Sequence, residues 1–166
     1  MPKVLVVYGS KMGGTAGIAG MIGEVLEASG LDVTITRAGD LRSVHGYDAV
    51  IVGGGLYTGR WRPEARRFVK RFARALESLP IWFFSSGPLD DSAVTSDIPP
   101  TRQVSHLMDL VGARGHVTFG GRLPENATGF VARKMAEDHA GDWRDPDQIR
   151  GWAGEVAAEL HASRAA

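Results

Sequence analysis

Lys3-Val4-Leu5-Val6-Val7-Tyr8 is a β-branched, almost wholly apolar run that stops at Gly9, and Ala49-Val50-Ile51-Val52 and Ile81-Trp82-Phe83-Phe84 repeat the pattern. A strand that is apolar on both sides must be covered on both sides, which implies a parallel sheet between two layers of helix. Between these runs the apolar residues recur at helical spacing. Ile18, Ile22, Val25 and Leu26 form one stripe after Thr15, with Gly30 as a stop signal; Ala65, Phe68, Val69, Phe72 and Leu76 form another, opened by Pro63 and ended by Pro80.

The remaining elements fit the same alternation. Asp32-Val33-Thr34-Ile35-Thr36 alternates apolar with polar, as a half-exposed edge strand does, and His116-Val117-Thr118-Phe119 reads as a fifth strand. Thr101 to Leu110 is expected to be a helix with Val104, Leu107 and Met108 inward, and Asn126 to Asp138 a modest one. The final helix starts at Asp145-Pro146-Asp147-Gln148, which places a capping acid, a first-turn proline and a capping-box glutamine before Ile149, Trp152, Ala153, Val156 and Leu160. Right-handed crossovers then favour a doubly wound α/β fold, a five-stranded parallel sheet in the order 2-1-3-4-5. At 166 residues it is expected to be one domain, 1–166.

Composition excludes several classes. Nineteen basic and nineteen acidic side chains cancel, so no whole-molecule field favours nucleic acid or an acidic membrane. The absence of cysteine excludes disulfides, a thiolate nucleophile and cysteine-held metal clusters, which makes the cytoplasm the simplest expected location. No uncharged stretch reaches the eighteen or so residues of a membrane span, and Met1-Pro2-Lys3-Val4 leads straight into a strand, without room for a signal peptide. His45, His106, His116, His139 and His161 share no ligand spacing, so no metal is expected, and no Gly-x-Ser-x-Gly elbow surrounds Ser85 or Ser86.

In doubly wound sheets, ligands bind at the carboxyl ends of the strands where the winding reverses, here after the first and third. Tyr8-Gly9-Ser10-Lys11-Met12-Gly13-Gly14-Thr15 joins the first strand to a helix start. That places backbone N–H groups and the positive end of a helix dipole at the crevice, a setting for phosphate. Gly13 and Gly14 permit close approach, the hydroxyls of Ser10 and Thr15 can donate, and Lys11 adds charge; the alternative is a plain turn capped by Thr15. A nucleotide-hydrolysing loop would need lysine where Gly14 stands, and the Gly-x-Gly-x-x-Gly spacing of dinucleotide sites is absent. Gly53-Gly54-Gly55-Leu56-Tyr57-Thr58-Gly59-Arg60-Trp61 follows the third strand. Its glycines let the backbone lie against a flat ligand, and Tyr57 and Trp61 offer aromatic faces.

Together the two loops and the strand order resemble the flavodoxin superfamily over nearly the whole chain. Within it, Tyr8-Gly9-Ser10-Lys11 with Thr15, Gly53 to Gly59, Asp142-Trp143 and Trp152 are similar to the menaquinone-dependent protoporphyrinogen oxidase branch. The resemblance implies a three-layer sandwich that binds FMN, with phosphate contacts at Ser10, Lys11, Met12, Gly13, Gly14 and Thr15 and ring contacts at Gly54, Gly55, Leu56, Tyr57 and Thr58. It places the other ring-flanking segment at Ser85, Ser86 and Gly87. The segment Gly121 to Gly141 is shorter and less hydrophobic than the insertion of the quinone-using oxidases.

From Arg60 to Arg74 seven basic residues face one acid, Glu64. The acidic carrier flavodoxins have the opposite sign. At an effective dielectric near 20, a charge roughly 10 Å from the ring is worth about 1 to 2 kcal/mol before screening, which raises the expected flavin potential. The leading expectation is therefore an FMN-dependent oxidoreductase, with an anionic substrate such as a porphyrinogen drawn to Arg60 and Arg62. Its alternatives are a flavodoxin-type electron carrier, serving a small-molecule or protein redox partner, and a module that has lost its cofactor.

Overall fold

The computed structural model describes residues 1–10, 13–123 and 141–165. In chain order the elements are β1 (Lys3–Gly9), α1 (Gly14–Ala28), β2 (Asp32–Arg37), a 3-10 turn (Ala38–Asp40), β3 (Ala49–Tyr57), β4 (Arg60–Trp61), α2 (Pro63–Arg71), α3 (Ala73–Leu76) and β5 (Ile81–Ser86). They continue with α4 (Ser92–Thr95), α5 (Arg102–Val111), β6 (Gly115–Phe119), β7 (Arg122–Leu123), β8 (Gly141–Asp142) and α6 (Pro146–Ala165). The helix expected over Asn126 to Asp138 lies outside the described residues.

The parallel order is β2-β1-β3-β5-β6, with β4 paired antiparallel to β3. This is the expected 2-1-3-4-5 winding, relabelled because short β4 intervenes. Each inner strand feeds both layers. Val4, Val6, Ile51 and Phe84 pack with Ile18, Ile22 and Leu26 of α1 and Ile149, Ala153 and Val156 of α6. The alternate residues Leu5, Val7, Val50, Val52 and Phe83 pack against Ala65, Phe68 and Val69 of α2 and Val104 and Leu107 of α5. Burying each such side chain contributes about 1.5 to 3 kcal/mol, which is why uniformly apolar runs mark the inner strands. β2, with its alternating pattern, is the half-exposed edge.

Three local expectations are corrected, and the alternative of a Thr15 cap falls. The helix expected from Pro63 to Leu76 breaks at Phe72, whose φ of −104° and ψ of 16° leave the helical region and separate α2 from α3. β3 does not stop at Val52 but continues through the glycines to Tyr57. Thr15 does not cap α1; Gly13 stands at that position, in the left-handed region at φ 83°, with no side-chain cap. Asp145 does cap α6, its Oδ1 accepting from the N–H groups of Asp147 (2.9 Å) and Gln148 (3.3 Å). Gln148 closes no capping box, because its Nε2 donates instead to the Ala93 carbonyl at 2.7 Å. Among the described residues no helix is long and apolar enough to cross a membrane.

Candidate functional site

Sheet register brings the expected segments to one rim. Gly9 of β1 aligns with Gly54 of β3, and Gly54 and Gly55 align with Ser85 and Ser86 of β5. The first loop, the β3 extension and the end of β5 therefore meet at the carboxyl ends of adjacent parallel strands, beside the switch in winding direction.

At the first loop, the Gly13 N–H donates to Ser10 Oγ at 3.1 Å, so Ser10 closes the turn while its hydroxyl proton can still be donated. Gly13 and Gly14 lead into α1, whose first turn has neither a side-chain cap nor an acid. Thr15 is buried at 2% exposure, and its Oγ1 lies 2.8 Å from Ser86 Oγ, itself 6% exposed. This hydroxyl pair ties the start of α1 to the end of β5 and uses one of its two protons internally. The position where Gly55 would carry a Cβ is 3.2 Å from Thr15 Oγ1, so the second segment abuts the first. Lys11 and Met12 lie outside the described residues.

The glycine-rich segment expected to be a loop is strand because bulky rings fill the space its side chains would take. A Cβ on Gly53 would enter the Phe84 ring, and one on Gly54 would enter the Trp61 indole. After Tyr57 the chain reverses through Thr58 (φ 51°) and Gly59 (φ 78°) and returns as β4, with Tyr57 opposite Arg60 and Leu56 opposite Trp61. Two consecutive positive φ values define the primed hairpin turn; glycine suits it, but a β-branched threonine does not.

The two aromatic residues of this segment have different fates. Tyr57 is exposed at 37%, with the Arg62 guanidinium over its ring at 5.3 Å. Trp61 offers no face to a ligand. It is 1% exposed and packs on Phe83 at 4.7 Å, and its indole N–H donates to Ser85 Oγ at 2.8 Å. Ser85 Oγ also lies 3.0 Å from His116 Nε2. Burial pushes His116 down to about 4, against a smaller opposing effect of Asp97. The ring is thus neutral at pH 7, and with its proton on Nδ1 its Nε2 accepts the Ser85 hydroxyl proton. Ser85 therefore anchors Trp61 from beneath the rim. Beyond it, the position of a Gly87 Cβ is 3.0 Å from the Leu56 side chain, so the second and third segments also touch.

Sequence reading missed a third wall. β7 and β8 pair Arg122 with Asp142, and Arg122 abuts Gly14, its Cβ lying 3.3 Å from the position of a Gly14 Cβ. Arg144 grips Asp142 through two bonds of 2.8 and 2.7 Å and donates to the Gly14 carbonyl at 3.4 Å. The Arg144 hydrogen bonds hold the Asp142 carboxyl below the usual range. Only proximity in the fold joins residues 122 and 144 to residue 14. Trp152, which helps carry the branch resemblance, packs edge-on against Phe119 and Phe84 in the core.

The arrangement defines a doubly wound α/β protein with a glycine-rich, hydroxyl-lined rim beside the switch point. The flavodoxin domain profile matches residues 5–139, and the chain belongs to that family. Among solved structures it is similar to rubredoxin oxygen:oxidoreductase from the anaerobe Desulfovibrio gigas, at TM-score 0.68 and 15% identity over 99% of this chain and 37% of that one. A flavodoxin from the domain Archaea matches at 0.65 and 17% identity, over 96% and 99% of the two chains. Two-electron reduced Megasphaera elsdenii flavodoxin matches at 0.59 and 20% identity, over 81% and 96%. At these identities the likeness establishes the fold. The chain spans just over a third of the Desulfovibrio enzyme's length.

Family membership implies FMN as the cofactor. The phosphate end fits it chemically: an uncapped helix start without an acid, a left-handed glycine and hydroxyls with protons to donate. The ring end offers Tyr57, whereas Ser85 to Asp90 contains no aromatic residue.

Proposed function

We propose that this chain is an FMN-dependent redox protein of flavodoxin type. The observation that carries the proposal is the buried Thr15–Ser86 hydroxyl pair beside the uncapped start of α1. In this reading Ser10, Lys11, Met12, Gly13, Gly14 and Thr15 hold the phosphate, and Ser86 sets the Thr15 rotamer. Gly54, Gly55, Leu56, Tyr57 and Thr58 flank one part of the ring, Gly87 and Ser86 another, while Ser85 fixes Trp61 behind the rim. FMN, when bound, supplies the electron-accepting chemistry of its isoalloxazine ring, and the chain supplies position and electrostatics. Titrating apoprotein with FMN and riboflavin tests this reading. FMN is expected to bind at least about tenfold more tightly, the effect of roughly one charge-assisted hydrogen bond. Equal affinity for the two, or no heat from FMN, sinks the proposal.

A second reading, dehydrogenation of a carboxylated substrate in the manner of a protoporphyrinogen oxidase, is favoured by Arg62 over Tyr57 and by exposed Arg60 in the same hairpin. Anaerobic bleaching of the flavin, screened across porphyrinogens, quinols and reduced nicotinamides, separates it from pure electron carriage. Under this reading a porphyrinogen bleaches the flavin, and Arg60→Glu with Arg62→Glu slows the reaction at least about tenfold. A rate indifferent to that reversal removes the anionic substrate from the account.

A further inference from the structure

The two helical layers carry opposite charge. α1 and α6 on one face of the sheet contain five acids, Glu24, Glu27, Asp147, Glu155 and Glu159, against Arg150 and Arg164. α2 and α3 on the other face contain Arg66, Arg67, Lys70, Arg71 and Arg74 against Glu64 alone. That acid is already engaged: Glu64 Oε2 meets Arg37 at 3.3 Å, and its Oε1 accepts from the Gly39 N–H at 2.9 Å. Among the described residues, the buried Arg66 Nε has no acceptor. Arg67 and Lys70 are exposed at i and i+3 on α2, Arg74 is exposed on α3, and exposed Arg60 and Arg102 extend the cationic surface toward the β3–β4 hairpin. A chain with no net charge thus holds a strongly one-sided field.

We infer that the α2–α3 face is the docking surface for an acidic protein electron carrier, an inference that rests on the redox reading above. Size argues against a small anion as the sole occupant, because α2 alone, nine residues at helical rise, extends about 13 Å and the cationic side chains continue past Phe72 onto α3. A membrane is disfavoured because no large exposed hydrophobic residue lies on α2 or α3; among the described residues those exposed are Met1, Ile35, Tyr57, Val94, Leu110 and Trp143. Nucleic acid is disfavoured by a sequence pI near 7.0 and an acidic opposite layer. An acidic protein meets a matching field and is steered to the edge that carries Tyr57.

The test measures binding of a small acidic iron–sulfur carrier protein to the full chain, with and without FMN, at about 20 and about 200 mM salt. Salt is expected to weaken binding at least about tenfold, and Arg67→Glu/Lys70→Glu/Arg74→Glu to abolish the low-salt affinity at an unchanged melting temperature. Glu24→Lys/Glu27→Lys/Glu155→Lys on the opposite layer serves as the control and is expected to leave binding intact. Carrier binding that ignores salt and the α2–α3 reversal overturns the inference, as does tighter binding to duplex DNA or to vesicles of anionic phospholipid under the same conditions. FMN uptake by the apoprotein is scored separately. A protein that takes up FMN but not the carrier defeats only the docking surface, whereas one that takes up no FMN defeats the redox reading.

Discussion

The two ends of the crevice are built on opposite physical plans. Around Gly13 the structure is backbone and hydroxyl, and a Cβ there would meet nothing within 4 Å. The constraint is the dihedral itself, φ 83°. Around Gly53 and Gly54 the dihedrals are ordinary strand, and the constraint is volume already taken by Phe84 and Trp61. The first plan leaves donors pointing at a space; the second fixes a wall. A glycine in sequence looks the same in both, so only substitution distinguishes them.

The largest expected effect therefore lies at the wall. Gly53→Ala is expected to lose about 3 kcal/mol of unfolding free energy by denaturant titration, because an aromatic core on a sheet cannot shift cheaply. Gly13→Ala is expected to lose only about 1 kcal/mol, the strain of a positive φ, while weakening FMN more than riboflavin. If the two substitutions cost the same, the contrast between the ends is wrong.

The next effect comes from the network behind the wall, Trp61 to Ser85 to His116. His116 is held near 4 by burial, well below the 6.5 of an unfolded histidine. As pH falls through that window the unfolded chain takes up a proton that the folded chain refuses, so stability is complete above about 6.5 and drains away toward 4. Discounted for partial exposure, the loss amounts to about 2 kcal/mol. Melts of the wild type and His116→Gln across this range check it: the variant is expected to lose that share of the slope. An unchanged slope removes His116 from the account.

What could be read in advance follows from this contrast. The inner strands and α1, α2, α5 and α6 were legible because burial on both faces or on one stripe writes itself into local apolar spacing. Gly53, Gly54 and Gly55 were expected in a loop because glycine is normally depleted from strands, and the reason for their presence, the rings of Phe84 and Trp61, sits elsewhere in the chain. For the same reason Trp61 was expected at a ligand and is found inside. Gln148 had the spacing of a capping box, but the Ala93 carbonyl, 55 residues away, holds its amide. At the start of α1 the turn through Ser10, Gly13 and Gly14 was readable, because a helix start advertises itself locally. The Thr15–Ser86 pair and the Arg122–Asp142–Arg144 wall needed the fold.

The smallest expected effect sits where the wall ends, at Thr58. Its φ of 51° is a conformation that a β-branched residue adopts only under constraint, and the neighbouring Gly59 takes its own positive φ without cost. Thr58→Gly is expected to relieve this strain and offset it only partly by added freedom in the unfolded chain, for a net gain of about 0.5 kcal/mol in denaturant titration. Strain kept at a hairpin tip beside Tyr57 is intelligible if the threonine side chain contributes to the ligand. Thr58→Gly is thus expected to bind FMN about three- to tenfold more weakly while melting slightly higher, a trade between stability and binding. Higher stability with undiminished FMN affinity would leave the strained threonine without a function and confine ligand recognition to the uncapped helix at the other end.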